Sequence, residues 1–243
     1  MSWFTDLKAK NGLILKASVI SLAIFTFVLA GGLTVNAQAI AEGFDNITTL
    51  PAAGWSIQNR SAPLGTTTWF QGNPVVLPAQ TGATDAFIAA NFDSTGNVGT
   101  ISNWLIAPNR TLSNGDVFTF YSRIPTAPPE FPDRVQVRLS TNGASTNVGT
   151  TATDVGDFTT VLLEINPTLV TGVYPQVWTQ FTVTISGLAA PISGRIAFRY
   201  FVTNGGFSGT NSNFIGITGI IGILSGRHTL ILQGSSVSEC EHL

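Results

Sequence analysis

From residue 38 onward, apolar residues recur at every second position in short runs, and Gly, Pro, Asn and Asp break each run before a helical face can form. A period of two belongs to strands, whose successive side chains point to opposite faces, whereas a helical stripe needs a period of 3.6. In RVQVRLS, Val135, Val137 and Leu139 share one face while Arg134, Gln136 and Arg138 share the other. VWTQFTVTIS sets Phe181, Val183 and Ile185 against Gln180, Thr182 and Thr184, and GRIAFRYFV sets Ile196, Phe198 and Tyr200 against Arg199. AFIAANF, NWLIAP, DVFTFYSR and TTVLLEI add further strands. About ten such strands, separated by turns such as SNGD at 113–116 and TNGA at 141–144, predict an all-β fold. The expected architecture is a jelly-roll β-sandwich of two antiparallel sheets. Two long connections, 124–133 and 142–157, are expected to be surface loops.

The first residues point to export. Lys8, Lys10 and Lys16 precede the uncharged apolar run 17–35, and small residues at Val35–Ala37 form a cleavage site. Residues 1–37 therefore read as a signal peptide cut before Gln38, with cleavage after Ala39 as the alternative. An uncleaved anchor is the other reading, since the run approaches the roughly 20 residues that span a bilayer. The expected location is extracellular or on the cell surface.

The cations after Lys16 are all arginines, and charged residues make up 10% of the chain, so no basic footprint for nucleic acid exists. Membrane contact is expected only through the signal segment or a lost sorting tail. Cys240 is the single cysteine, which rules out a disulfide within the chain and leaves stability to core burial.

The segments FDNITTLPAAGW, TTTWFQGN, FIAANF, ISNWLIAP and FRYFVTNGG, in this order, resemble the choice-of-anchor J domain, which is related to bacterial cleaved adhesin domains. The resemblance runs from Glu42 to Ile217. It implies a jelly roll of the galactose-binding or MAM-like kind, export, surface attachment through a C-terminal signal of the PEP-CTERM type or another, and an adhesive or glycan-facing role. The sandwich is accordingly set at 38–220. Thr218 stands where relatives carry an acid, and residues 221–243 depart from the family as a divergent or frameshifted tail in which no sorting signal is evident.

His228 and His242, the two histidines, both lie in that tail, so no Ser-His-Asp or Cys-His arrangement can be built within the sandwich. Calcium is the more plausible chemistry, with Glu42 and Asp45 as candidate ligands because they match the family's acidic first strand. Solvated or turn-capping roles for the two acids are the competing reading, because a calcium ion takes about six to eight oxygens. Trp55, Trp69, Trp104 and Trp178 are read mainly as core. Trp69 with Phe70, flanked by polar residues, and Phe207 in the loop NGGFSGTNSN are the candidates for an exposed ligand platform. Arg138 and Arg199 are expected on a solvated sheet face, paired with carboxylates or available to an anionic sugar.

Three functional classes follow, in order of preference. The first is a non-catalytic surface module that binds a glycan or matrix polymer. The second is a structural component of an extracellular matrix or biofilm. The third is a carbohydrate-active hydrolase, which would need two carboxylates about 5–10 Å apart in a cleft.

Overall fold

The computed structural model describes residues 40–126 and 128–223; the stretch read as an export signal, Arg227, Cys240, His228 and His242 lie outside the described residues. Thirteen strands occur in this range, more than the sequence predicts because several are only two to four residues long. They are β1 (Ile40–Glu42), β2 (Ser56–Asn59), β3 (Ala62–Leu64), β4 (Phe70–Gln71), β5 (Ile88–Asn91), β6 (Thr95–Ile106) and β7 (Arg110–Leu112). β8 (Val117–Arg123), β9 (Val135–Ser140), β10 (Thr160–Ile165), β11 (Thr179–Thr184), β12 (Ile192–Gly205) and β13 (Phe214–Ile223) complete them.

All pairings are antiparallel and form two sheets. The six-stranded sheet runs β11-β8-β13-β5-β4, with β1 added to β13; the seven-stranded sheet runs β10-β9-β12-β6-β2, with β3 on β6 and β7 on β12. The result is the expected all-β jelly-roll sandwich. β13 continues through Ile223 and pairs Gly222 with Ile40, so regular structure extends past residue 220.

The inward residues are those the alternation selects. Val135, Val137 and Leu139 of β9 and Ile196, Phe198, Tyr200 and Val202 of β12 face Phe118, Phe120, Ile215 and Ile217 of the other sheet in one cluster. Phe120 and Phe198 meet edge to face across the interior at 4.9 Å, and Phe181 stacks on Phe120 at 5.4 Å. Ring pairs of this kind add about 0.5–1.5 kcal/mol beyond the area they bury. The SNGD turn forms as predicted: Gly115 takes φ +89°, and Asp116 Oδ2 accepts the Ser113 N–H at 2.7 Å.

The outer face of the seven-stranded sheet corrects one expectation. Arg138 and Arg199 do point away from the interior, yet they are buried rather than solvated, with Arg199 only 1% exposed. The segment following β9 lies across this face and adds a second apolar layer, in which Val148 and Phe158 pack with Trp104, Ile106 and Ala197. Arg199 fits between the rings of Trp104 and Phe201, its guanidinium carbon 4.8 Å and 3.7 Å from their centroids. Its donors reach Ser102 Oγ at 3.1 Å, Gln136 Oε1 at 3.3 Å and the Ala152 carbonyl at 2.6 Å. Arg138 bonds Gln136 Oε1 and the Phe158 carbonyl. No carboxylate bonds either arginine among the described residues; backbone carbonyls and Gln136 do that work. The overlying segment therefore supplies the apolar cover and, through the Ala152 and Phe158 carbonyls, part of the acceptors.

Candidate functional site

Directly paired residues of an antiparallel sheet share a face. Phe70 pairs with Ala89, Ala89 with Gly216, and Asn91 with Phe214. These side-chain positions therefore line the outer face of the six-stranded sheet at the β4-β5-β13 end. Phe70 and Phe214 meet edge to face at 5.8 Å. Gly216 leaves room above this sheet for Trp178, whose ring would lie 2.8 Å from a Cβ placed there.

Beside this aromatic pair opens a cleft of about 380 Å³. Such a volume lies at the small end of the ~300–1,000 Å³ typical of ligand pockets. Phe70, Phe92 and Val76 supply its apolar surface with the buried Phe214 packed behind Phe70, and Asn73, Asn91 and Asn213 supply amides. No charged side chain lines it. Phe207, 81% exposed, leans on Phe92 with ring centroids 6.2 Å apart and so extends the aromatic surface beyond the lining.

The amides differ in how they are held. Asn91 Oδ1 accepts the Thr67 hydroxyl at 2.7 Å and its Nδ2 donates to Asp93 Oδ2 at 3.1 Å. Asn73 Oδ1 accepts the Val75 N–H at 3.0 Å. Among the described residues no hydrogen bond engages the side-chain amide of Asn213. Its backbone is fixed instead: the Asn213 N–H donates to Asp133 Oδ1 at 3.0 Å, and its carbonyl accepts the Phe92 N–H at 3.0 Å. Asp133 is fully buried, and the same Oδ1 accepts the Tyr200 hydroxyl at 2.5 Å, while among the described residues no hydrogen bond reaches Oδ2. Burial pushes this carboxyl up to about 7 against the pull of those bonds, and the nearby Glu130 charge adds to the rise.

The structure separates the residues singled out from sequence. Phe70 lines the cleft and Phe207 touches its aromatic wall. Trp69 does not join them: it is 2% exposed and belongs to the interior, because neighbouring residues of an extended chain point to opposite faces. The expectation of Trp69 as a platform is corrected on this ground. Phe92, Phe214 and the three asparagines were not singled out. The asparagines sit where strands end or turn, and their sequence signal is that of ordinary turn residues.

Glu42 and Asp45 flank the loop after β1. Glu42 Oε1 accepts the Phe44 N–H at 2.7 Å, and Asp45 is exposed. Thr218 is buried, and its hydroxyl lies 3.2 Å from the Gly43 carbonyl and 3.0 Å from the Ala86 carbonyl. A neutral hydroxyl thus ties this loop to the start of β5. No group of three or more His, Cys, Asp or Glu residues suited to a metal occurs among the described residues.

No family model matches the chain, and no curated protein matches it. Solved structures do. The K1 cleaved adhesin domain of Lys-gingipain from Porphyromonas gingivalis W83 matches at 22% identity and a TM-score of 0.52, covering 77% of this chain and 99% of that one. The chain shares the sandwich fold of an adhesin domain. The K2 cleaved adhesin domain of Lys-gingipain matches at 22% identity, 76% and 98% coverage and a TM-score of 0.49. A family 11 carbohydrate-binding module from Clostridium thermocellum, in complex with a β-1,3-1,4-mixed-linked tetrasaccharide, matches at 13% identity, 76% and 95% coverage and a TM-score of 0.40. The 22% identity to the K1 domain speaks for the fold alone, and a shared fold leaves function to the site.

Proposed function

We propose that the chain is an exported, non-catalytic binding module of the bacterial cell surface, of the choice-of-anchor J kind, that holds a glycan in the cleft beside Phe70. The observation that carries this reading is the lining itself: the part-exposed rings of Phe70 and Phe92 beside three asparagines, with no charged residue among the lining. Rings offer flat apolar area to the faces of sugars, and amides offer a donor and an acceptor to hydroxyls. The same lining weighs against hydrolysis, which needs carboxylates at the reacting bond. Export rests on the lysines and apolar run at the N-terminus.

The test is a glycan-array and polysaccharide screen on wild type and Phe207→Ala. Because Phe207 is exposed, its removal is expected to leave the melting temperature unchanged while weakening binding by about tenfold, or about 1.4 kcal/mol. A screen in which the substitution changes no affinity would move the site elsewhere.

One observation favours a second reading, a matrix component that assembles edge to edge. Strand β11 ends its sheet, exposes Gln180, Thr182 and Thr184, and carries no charge. Unprotected edges of this kind can pair with other chains. Sedimentation at rising concentration decides it: a single monomer species throughout removes the assembly reading.

Calcium at Glu42 and Asp45 is decided by melting the protein in calcium and in chelator. A rise in melting temperature with calcium that Glu42→Gln abolishes supports an ion there; equal melting temperatures remove it.

A further inference from the structure

Resting on the reading of the cleft as a glycan site, the geometry points to selection of uncharged polysaccharides, with Asn91 as the residue that orients the sugar and Thr67 as its positioning residue. A side-chain amide has two N–H donors and an oxygen with two acceptor positions. Thr67 occupies one acceptor position of Asn91 and Asp93 one donor, so the head group cannot flip without losing both bonds. Among the described residues no further hydrogen bond engages this amide, so one N–H and one lone pair stay unused on a residue that lines the cleft. A sugar hydroxyl donates and accepts at once and matches such a pair; a carboxylate or sulfate only accepts and leaves the lone pair opposed.

The support behind Asn91 is itself fixed. Asn59 Nδ2 donates to the Thr67 carbonyl at 2.9 Å and to the Ser94 carbonyl at 2.8 Å, tying both chain segments that carry the Asn91 partners. The Asn91 backbone is paired to Phe214 in the sheet. A head group held this way loses little freedom on binding, which favours affinity and a single ligand orientation.

Charge acts in the same direction. No arginine lines the cleft, and the chain after Lys16 has no lysine. Arg199, Arg138 and Arg134 are spent on the other sheet against carbonyls, Gln136 and Glu164. The carboxylate of Asp93, one bond behind Asn91, repels a uronate or a sulfate.

The experiment compares retention of the protein by neutral polymers (mixed-linked β-glucan, galactan, mannan) and acidic ones (alginate, polygalacturonate, chondroitin sulfate), for wild type, Asn91→Ala, Thr67→Val, Thr67→Ser and Asp93→Asn. Wild type is expected to bind at least one neutral polymer and no acidic one. Asn91→Ala should abolish that binding. Thr67→Val should weaken it about tenfold at an unchanged melting temperature, and Thr67→Ser, which keeps the hydroxyl, should restore it. Asp93→Asn should narrow the gap between neutral and acidic polymers. Equal or stronger retention on an acidic polymer overturns the selectivity, and neutral binding indifferent to Thr67→Val overturns the positioning role of Thr67; both leave the glycan reading intact. Retention on no polymer of either class overturns both.

Discussion

Replacing Arg199 by alanine should lower the melting temperature by about 6–12 °C, the shift that a loss of roughly 3 kcal/mol produces in a domain of this size. Two losses add. The side chain fills the space between Trp104 and Phe201, and emptying a buried site of that kind costs about 2–5 kcal/mol in large-to-alanine series. The Ala152 carbonyl also loses its donor, and an orphaned buried acceptor costs about 1–3 kcal/mol. Ser102 Oγ keeps the Trp104 indole N–H, and Gln136 Oε1 keeps Arg138, so those partners are not left empty. Arg199→Met separates the contributions. Methionine refills the gap and removes a guanidinium that burial, then Arg138 and Arg134, push down to about 9. Replacing buried charge by apolar volume is often close to neutral. The expected order of melting temperature is therefore wild type first, Arg199→Met a few degrees below it because the Ala152 carbonyl still loses its donor, and Arg199→Ala lowest. Equal, large losses in both variants would mean that the hydrogen bonds, not the packing, hold the overlying segment.

The second large effect is on pH dependence. The Asp133 carboxyl titrates near 7 in the folded protein and near 3.8 when unfolded. Between those values the folded state keeps a proton that the unfolded chain has lost, so stability falls as pH rises across the window. Each unit of separation is worth about 1.4 kcal/mol, and a total of about 2–4 kcal/mol is expected between pH 4 and pH 7.5. The charged and titratable groups that act on Asp133 are Glu130, Tyr200 and Tyr174. Asp154 is held down to about 2 by the Thr151 and Thr150 N–H groups, so it titrates below this range. Asp133→Asn keeps an oxygen for Tyr200 and for the Asn213 N–H while removing the charge. The variant should melt at nearly the same temperature from pH 5 to pH 7.5 and above wild type at pH 7.5. A variant that melts below wild type at both pH values, with the slope unchanged, would assign the pH dependence to other groups.

Asp133 shows how the site escaped a reading of the sequence. It ends a Pro-rich stretch and looks like a turn residue, yet its Oδ1 joins Tyr200 of β12 to Asn213, the residue just before β13. Those partners lie 67 and 80 positions away, beyond the reach of any local pattern. The cleft is of the same nature. Phe70, Asn91 and Phe214 come together through the pairing of β4, β5 and β13, whose register no single run specifies. Phe70 and Phe207 could be singled out because polar neighbours surround them; Phe92 and Phe214 resembled core aromatics.

What the sequence determined by itself is the fold class and the interior of the sandwich. A period of two places Val135, Val137, Leu139, Ile196, Phe198 and Tyr200 on one face, and a face so apolar must be buried. It also placed Arg138 and Arg199 correctly on the opposite face. What lies over that opposite face was decided by tertiary structure: residues 142–158 cover the arginines on one sheet, while the other sheet is left with an open cleft. Periodicity states which way a side chain points, but only long-range packing decides whether it meets protein or water there. That is why adjacent Trp69 and Phe70, equally plausible in the sequence, end on opposite sides of the question, one in the core and one lining the cleft.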